Sequence, residues 1–192
     1  MLQAEGVSPA DGRELLDIGC GRGPLLEALI RRGGDPAHLH GVDLLENEIA
    51  AAQERLPGVD VRVADARVLP YRSQSMDVVI MSTVLSSILD PENRLRVGLE
   101  ARRVLRRGGC IVTYDFRVPS PRNPNVRPMS KAALRRTFPG CRIDAHPLTV
   151  LPPLARLLGD RSIALYPLLA AVPVLRTHLL TVIRPDVPRP AE

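Results

Sequence analysis

The stretch Leu15-Leu16-Asp17-Ile18-Gly19-Cys20-Gly21-Arg22-Gly23-Pro24 constrains this chain more than any other: an apolar run ends in three glycines at alternate positions, then a proline. Glycine lets the backbone take positive φ and lets a ligand approach without meeting a Cβ. Proline suits the first position of a helix. The segment therefore reads as a strand, a sharp turn and a helix, with the free N–H groups of the helix start facing whatever the turn holds. A dinucleotide fingerprint, G-x-G-x-x-G/A counted from Gly19, needs its third glycine at position 24, which is Pro24. The spacing here is G-x-G-x-G preceded by an acidic residue, Asp17.

Short apolar runs alternate with helix-period segments around this turn, the pattern of β-α units on a parallel sheet. Strands are expected at 13–18, Leu39–Asp43, Val59–Val63, Met76–Met81, Cys110–Phe116, Cys141–His146 and Thr177–Ile183. The alternation in Val59–Val63 places it near an edge, and the unbroken Met76–Met81 run fits a strand covered on both faces. Helices are expected from Pro24 to about Arg32, over Glu46–Leu56, over Pro91–Arg107 with Asp90 as N-cap and Gly108-Gly109 as stop, and over Ser130–Phe138. Residues 117–130 are rich in proline and arginine and read as a surface loop; Leu151–Leu175 is apolar, proline-broken and read as two short helices. No repeat divides the chain. One domain over 1–192 is expected, with a short N-terminal segment 1–12, insertions at 117–130 and 150–176 that could cap a site, and a tail over 185–192.

Composition narrows the function classes. With 192 residues, 45% hydrophobic and 24% charged, the chain has a globular core rather than a disordered or fibrous character. Cys20, Cys110 and Cys141 are far apart and form no C-x-x-C, so neither a disulfide framework nor a zinc site is expected, and no metal is. His38 and His40 without carboxylate partners make no metal site. Residues 1–11 carry no basic cluster before an apolar run, and the longest uncharged apolar stretch, Ile163–Leu175, is short of the roughly 20 residues a membrane helix needs. A reduced, cytoplasmic protein is the expectation. The net charge of +5 invites a nucleic-acid reading, but Lys131 is the only lysine among 26 basic residues, the arginines are dispersed, and three Tyr and two Phe offer few stacking platforms.

Asp17 through Gly23 resembles motif I of the class I S-adenosylmethionine-dependent methyltransferases. Four more segments resemble that family in order: Gly41-Val42-Asp43-Leu44, Val63-Ala64-Asp65-Ala66, Ser75-Met76-Asp77-Val78-Val79 and Leu105-Arg106-Arg107-Gly108-Gly109, with Arg107 where proline is common. The resemblance runs from about Arg13 to Phe116. It implies a single Rossmann-like α/β domain with a seven-stranded, mostly parallel sheet of order 3-2-1-4-5-7-6, strand 7 antiparallel, and helices on both faces. It also implies S-adenosylmethionine as cofactor and S-adenosylhomocysteine as product. Carried over by position, Asp17 faces the cofactor ammonium, the loop of Gly19, Cys20, Gly21 and Gly23 serves its carboxylate, and Asp43 with Leu44 meets the ribose. Asp65 and Ala66 meet the adenine, and Ser82 lies beside the cofactor. Taken singly, Asp17 could equally be a turn-fixing residue, Asp43 a helix-dipole carboxylate and Cys20 a packing residue.

The acceptor is less legible, because direct displacement can be accelerated largely by alignment. The segment after strand 4, Met81-Ser82-Thr83-Val84-Leu85-Ser86-Ser87, lacks the (N/D)PP(Y/F) element of the family's amino-methylating members and the Pro-Cys pair of its cytosine-C5 enzymes. A small-molecule acceptor is therefore expected, oxygen ahead of nitrogen or carbon, of glycan or secondary-metabolite type. Asp115, at the tip of strand 5, is the candidate general base, with a loop-fixing role as its alternative. Arg117, Arg122 and Arg127 are candidates to grip an anionic group of the acceptor. The apolar 151–175 segment is the candidate face for a homodimer. The competing readings are an RNA methyltransferase and a non-catalytic cofactor- or partner-binding module.

Overall fold

The structure, a computed structural model, describes residues 11–119, 125–150 and 176–186. Seven strands form one sheet: β1 (Leu15–Ile18), β2 (Leu39–Asp43), β3 (Asp60–Val63), β4 (Met76–Ser82), β5 (Leu105–Phe116), β6 (Cys141–Val150) and β7 (Arg176–Pro185). Their order is β3-β2-β1-β4-β5-β7-β6, with β7 antiparallel to both β5 and β6 and every other pairing parallel. This is the expected Rossmann-like α/β order. The predicted edge strand is at the edge: β3 pairs only with β2, and Val63 is exposed. The central strand β4 shows buried Met76, Val78, Val79, Ile80 and Met81, as its continuous apolar run requires.

Two core layers sandwich the sheet. On one side, Leu16, Val79, Met81, Ile111 and Ile183 pack against α3 (Pro91–Val104) and α4 (Lys131–Thr137). On the other, Leu15, Val78, Ile80 and Val112 pack with α1 (Pro24–Ile30) and α2 (Glu46–Arg55). Capping follows the sequence: Asp90 accepts from the Glu92 amide at the start of α3, and Ser130 from the Ala133 amide at the start of α4.

One expectation fails. Gly108-Gly109 do not stop α3, which ends at Val104. Leu105 already pairs with Met76, and the next register pair is Val78 with Cys110, so residues 106–109 bulge out of β5 opposite Asp77. Gly108 has φ +80°, and a Cβ on Gly109 would lie 2.6 Å from the Asp77 carbonyl oxygen. The glycines serve the bulge. Of the expected insertions, 120–124 and 151–175 lie outside the described residues, and with them the helices and dimer face expected of the apolar segment. Residues 125–130 run back over the sheet tip, the Arg127 amide donating to the Ser86 carbonyl and the Met129 amide to that of Phe116.

Candidate functional site

The glycine turn is held from two sides. The Gly19 and Cys20 amides donate to the Val42 carbonyl at 2.7 and 3.0 Å, and the Gly21 amide donates to Asp43 Oδ2 at 2.9 Å. Gly19, Gly21 and Gly23 all have positive φ. Gly19 needs its freedom twice over, because at φ +73° a Cβ there would also sit 2.5 Å from Val84 Cγ2. Asp43, half-buried at the tip of β2, also accepts from the Leu45 amide at 3.0 Å, so one carboxylate joins the turn to the start of α2. Each oxygen of a carboxylate has lone pairs for more than one donor, which leaves Asp43 able to accept further.

Two cavities open along the carboxyl ends of the parallel strands, where open α/β sheets bind ligands. The first, about 540 Å³, has apolar walls from Ile18, Val42, Ala66, Ile88 and Val97, with Asp43 and Asp65 at its polar edges. Leu44, 67% exposed, lines it too. The second, about 480 Å³, is bounded by Asp17, Cys20, Gly21 and Glu48. Both include Gly19, Ser82 and Thr83, so they meet over the glycine turn and the end of β4.

Asp17 is only 2% exposed, and its Oδ1 is buried without a hydrogen-bond partner. Burial, and secondarily the charge of Asp43, pushes its carboxyl up to about 8. A buried acceptor with nothing to accept from, on a residue that borders a cavity, is the arrangement that a cationic donor would satisfy. Cys20 is buried; its thiol is pushed up to about 12 by burial and then by Asp17 and Asp43, and its sulfur lies against Gly41, where a Cβ would come within 2.9 Å. It packs the turn onto β2 and is no nucleophile.

Asp65 is engaged by its neighbour. Arg67 Nε and Nη2 fork onto its carboxylate at 2.6–3.0 Å, the Arg67 amide donates to Oδ1, and Nη1 reaches Asn93 Oδ1. Those contacts hold the Asp65 carboxyl below its ordinary range. Arg67 and Asn93 thus share the first cavity with Asp65 and Ala66, and nothing in the motif spacing marked them. Thr83 was also missed: a β-branched residue at φ +59°, its amide donates to the Tyr114 carbonyl at 2.7 Å and its hydroxyl to the Ser82 carbonyl. Backbone strain at the junction of two cavities leaves no trace in sequence patterning.

The acceptor candidates are placed differently from the expectation. Asp115 is 1% exposed and lines neither cavity; its Oδ1 accepts from the Ser86 amide at 2.9 Å. Burial pushes its carboxyl up to about 6, against the Ser86 hydrogen bonds and the field of Arg94. This contact holds the turn after β4, as the loop-fixing alternative requires, while Oδ2 is buried without a hydrogen-bond partner. Arg117 donates from Nη1 to the Arg176 carbonyl and from its amide to the Thr177 carbonyl, tying β5 to β7. Arg127 is exposed with its amide on Ser86, and Arg122 lies outside the described residues. His38 and His40 do have carboxylate partners, Glu14 and Asp60, at the opposite end of the sheet; no metal-binding group occurs among the described residues.

S-Adenosylmethionine fits this donor set: an apolar slot for a base, a strand-tip carboxylate for a diol, and a buried unpartnered carboxylate for an ammonium. Comparison with known proteins agrees. Residues 15–109 match the model of a family described as a methyltransferase domain. The chain is 36% identical over 117 residues to a demethylmenaquinone methyltransferase of Clavibacter sepedonicus, covering 59% of this chain and 45% of that protein. It is 38% identical over 118 residues to the 27-O-demethylrifamycin SV methyltransferase of Amycolatopsis mediterranei, covering 57% and 41%. The chain thus spans less than half the length of these curated relatives. The crystal structure of an S-adenosylmethionine-dependent methyltransferase from Mesorhizobium loti shares the fold, with a TM-score of 0.67 at 22% identity over 95% of each chain. By the matched domain, the sheet order and the residues of its glycine turn, this chain belongs to the class I S-adenosylmethionine-dependent methyltransferase family.

Proposed function

We propose that this chain catalyses methyl transfer from S-adenosylmethionine to a small-molecule acceptor, with oxygen ahead of nitrogen or carbon as the accepting atom. One observation carries the reading: the buried, unpartnered Asp17 carboxyl borders a cavity that joins, at Gly19, Ser82 and Thr83, an apolar slot edged by Asp43. Methyltransferases of menaquinone and rifamycin precursors among the relatives support the small-molecule class.

The bound cofactor supplies a methyl group on a sulfonium, activated for displacement. Asp17 holds the ammonium and Asp43 the ribose hydroxyls, while the apolar walls of the first cavity take the base and exclude water. Fixing both ends leaves little freedom at the junction over Ser82 and Thr83, and such alignment can supply several kcal/mol of the barrier reduction without a dedicated base. Asp115 contributes by holding the 83–87 turn in place, and the proton of a hydroxyl acceptor passes to solvent. The reading includes a cytoplasmic setting, supported by three free cysteines; no described helix is long and apolar enough to cross a membrane.

Calorimetric titration with S-adenosylmethionine and S-adenosylhomocysteine tests the first step. Both are expected to bind, and Asp43→Ala is expected to weaken both about tenfold or more, the loss of charge-assisted hydrogen bonds. Absence of binding, or wild-type affinity in Asp43→Ala, overturns the assignment. Product formed only when RNA is supplied would replace the small-molecule acceptor with RNA.

A further inference from the structure

The carboxylate at the far edge of the first cavity is already fully engaged by its own loop. Asp65 follows β3, and the Ala64 amide before it donates to the Asp43 main-chain carbonyl at 2.9 Å, so the loop leaves the sheet beside the tip of β2. The Val68 amide donates back to the Asp65 main-chain carbonyl at 2.9 Å, closing a turn. Within that turn the Arg67 amide donates to Asp65 Oδ1 at 2.8 Å and Nε to the same oxygen at 3.0 Å. Nε also donates to Oδ2 at 2.9 Å, and Nη2 does so at 2.6 Å. A carboxylate offers about four lone-pair sites, and these contacts fill them. The remaining guanidinium nitrogen is held as well, Nη1 donating to Asn93 Oδ1 at 3.2 Å on the first turn of α3. Asp65, Arg67 and Asn93 all line the cavity.

We infer that Arg67 is a specificity-determining residue of the base slot: by filling the Asp65 carboxylate it leaves the slot unable to read an exocyclic amino group, so the base is held by its faces and not by that group. The inference deepens the methyltransferase reading and rests on it. A free carboxylate at the rim of an apolar slot would accept from the amino group of a purine and disfavour a base lacking one. Here the amino group, a neutral donor, would have to displace a guanidinium fork, and charge-assisted bonds are roughly twice as strong as neutral ones. In the open cavity the pair is part-exposed, the Arg67 and Asp65 side chains being 45% and 37% accessible, and solvent screens it. Entry of a base covers that surface, and removing water strengthens the attraction between the two charges. Binding therefore tightens the fork rather than releasing it. The apolar walls Ile18, Val42, Ala66, Ile88 and Val97 hold a base through buried area, which is indifferent to the group its edge carries.

The experiment titrates the intact chain with S-adenosylhomocysteine and with its 6-deamino analogue, which carries hydrogen in place of the amino group of the base and keeps every ring nitrogen. The wild-type protein is expected to bind the two within about threefold of each other. Arg67→Met keeps an unbranched apolar stem and removes every side-chain donor, which frees Asp65. It is expected to prefer the amino-bearing ligand by about tenfold or more, the size of a hydrogen bond to a charged group. Adding Asp65→Ala to Arg67→Met is expected to abolish that preference. A wild-type preference above about threefold overturns the inference without any variant having to fold. An Arg67→Met protein that keeps the wild-type ratio overturns it as well, and so does a preference that survives Asp65→Ala. If S-adenosylhomocysteine binds neither wild type nor variant, the cofactor assignment falls and the inference with it, whereas a bound cofactor with a strong wild-type preference removes the inference alone.

Discussion

Asp17 and Asp115 are both buried carboxyl groups at the sheet tips, yet their surroundings give them different work. Each has one buried oxygen without a hydrogen-bond partner, but Asp17 borders a cavity and Asp115 lines neither; at neutral pH the Asp17 carboxyl, raised to about 8, holds its proton. Pairing with a cationic ammonium favours the ionised form, so binding should expel that proton. S-Adenosylmethionine affinity is accordingly expected to rise between about pH 6.5 and pH 8, with calorimetry in buffers of different ionisation enthalpy reading up to about one proton released; Asp17→Asn should flatten the pH dependence and bind more weakly. A wild-type affinity indifferent to pH would sink this account. Asp115, raised to about 6, is favoured in its neutral form by the fold, so its ionisation removes stability as pH climbs from about 4 through 6. Asp115→Asn keeps an acceptor for the Ser86 amide. It should melt higher than wild type at pH 8, by up to about 3 kcal/mol of unfolding free energy, match it near pH 4, and retain methyl transfer. Loss of turnover in a folded Asp115→Asn protein would return the general-base role to this residue.

At the scale of elements, two close approaches carry the architecture. Helix α3 meets the end of α4 at Gly98, where a Cβ would fall 2.1 Å from the Thr137 carbonyl oxygen. Gly98→Ala must separate backbone from backbone and is expected to cost about 1–3 kcal/mol in urea denaturation, with cofactor affinity little changed. Gly19→Ala sets strain at positive φ against Val84 within the site itself, so the opposite split is expected: cofactor affinity falls about tenfold or more while stability falls by about 1–2 kcal/mol. Titration and denaturation of the same two proteins check both. These elements also mark how far sequence patterning reaches. Asp90 and Ser130 were legible as caps because their chemistry is local. The end of α3 was not: a glycine pair after basic residues suits a helix stop and a bulge equally, and only pairing of Leu105 with Met76 selects the bulge.

Across the whole molecule, the two ends of the sheet are chemically distinct. The carboxyl ends of the parallel strands carry the two cavities that meet over the glycine turn, and a third, of about 360 Å³, lies at the opposite end beside Glu14, His40, Asp60 and Tyr71. That opposite end carries an ionic network in which Glu14 takes hydrogen bonds from His38 at 3.1 Å and His40 at 2.7 Å, and His40 also meets Asp60, which forks with Arg62. Burial alone would raise Glu14, but the hydrogen bonds with His40 and His38 outweigh it and hold its carboxyl below the usual range. A lowered carboxyl contributes stability above its unfolded value and loses it as pH falls through the folded one. Glu14→Gln is therefore expected to melt below wild type at pH 6, with the gap closing below about pH 4; an equal gap at both pH values in thermal melts would contradict this.

The sequence by itself determined the strands and the glycine turn, which follow from periodicity and from residue types at short range, while the strand order and the placing of Asp17, Asp43 and Asp65 came from the family resemblance carried by contiguous motifs. Tertiary structure decided the rest. Arg67 and Asn93 meet at the first cavity across 26 residues of chain, Thr83 has positive φ where its amide meets the Tyr114 carbonyl of β5, and Asp115 accepts from the Ser86 amide. The ring contacts of His178 with Tyr114 and Phe116 likewise exist only once β7 runs antiparallel beside β5. Contacts between residues distant along the chain depend on register and burial, and those are properties of the assembled sheet.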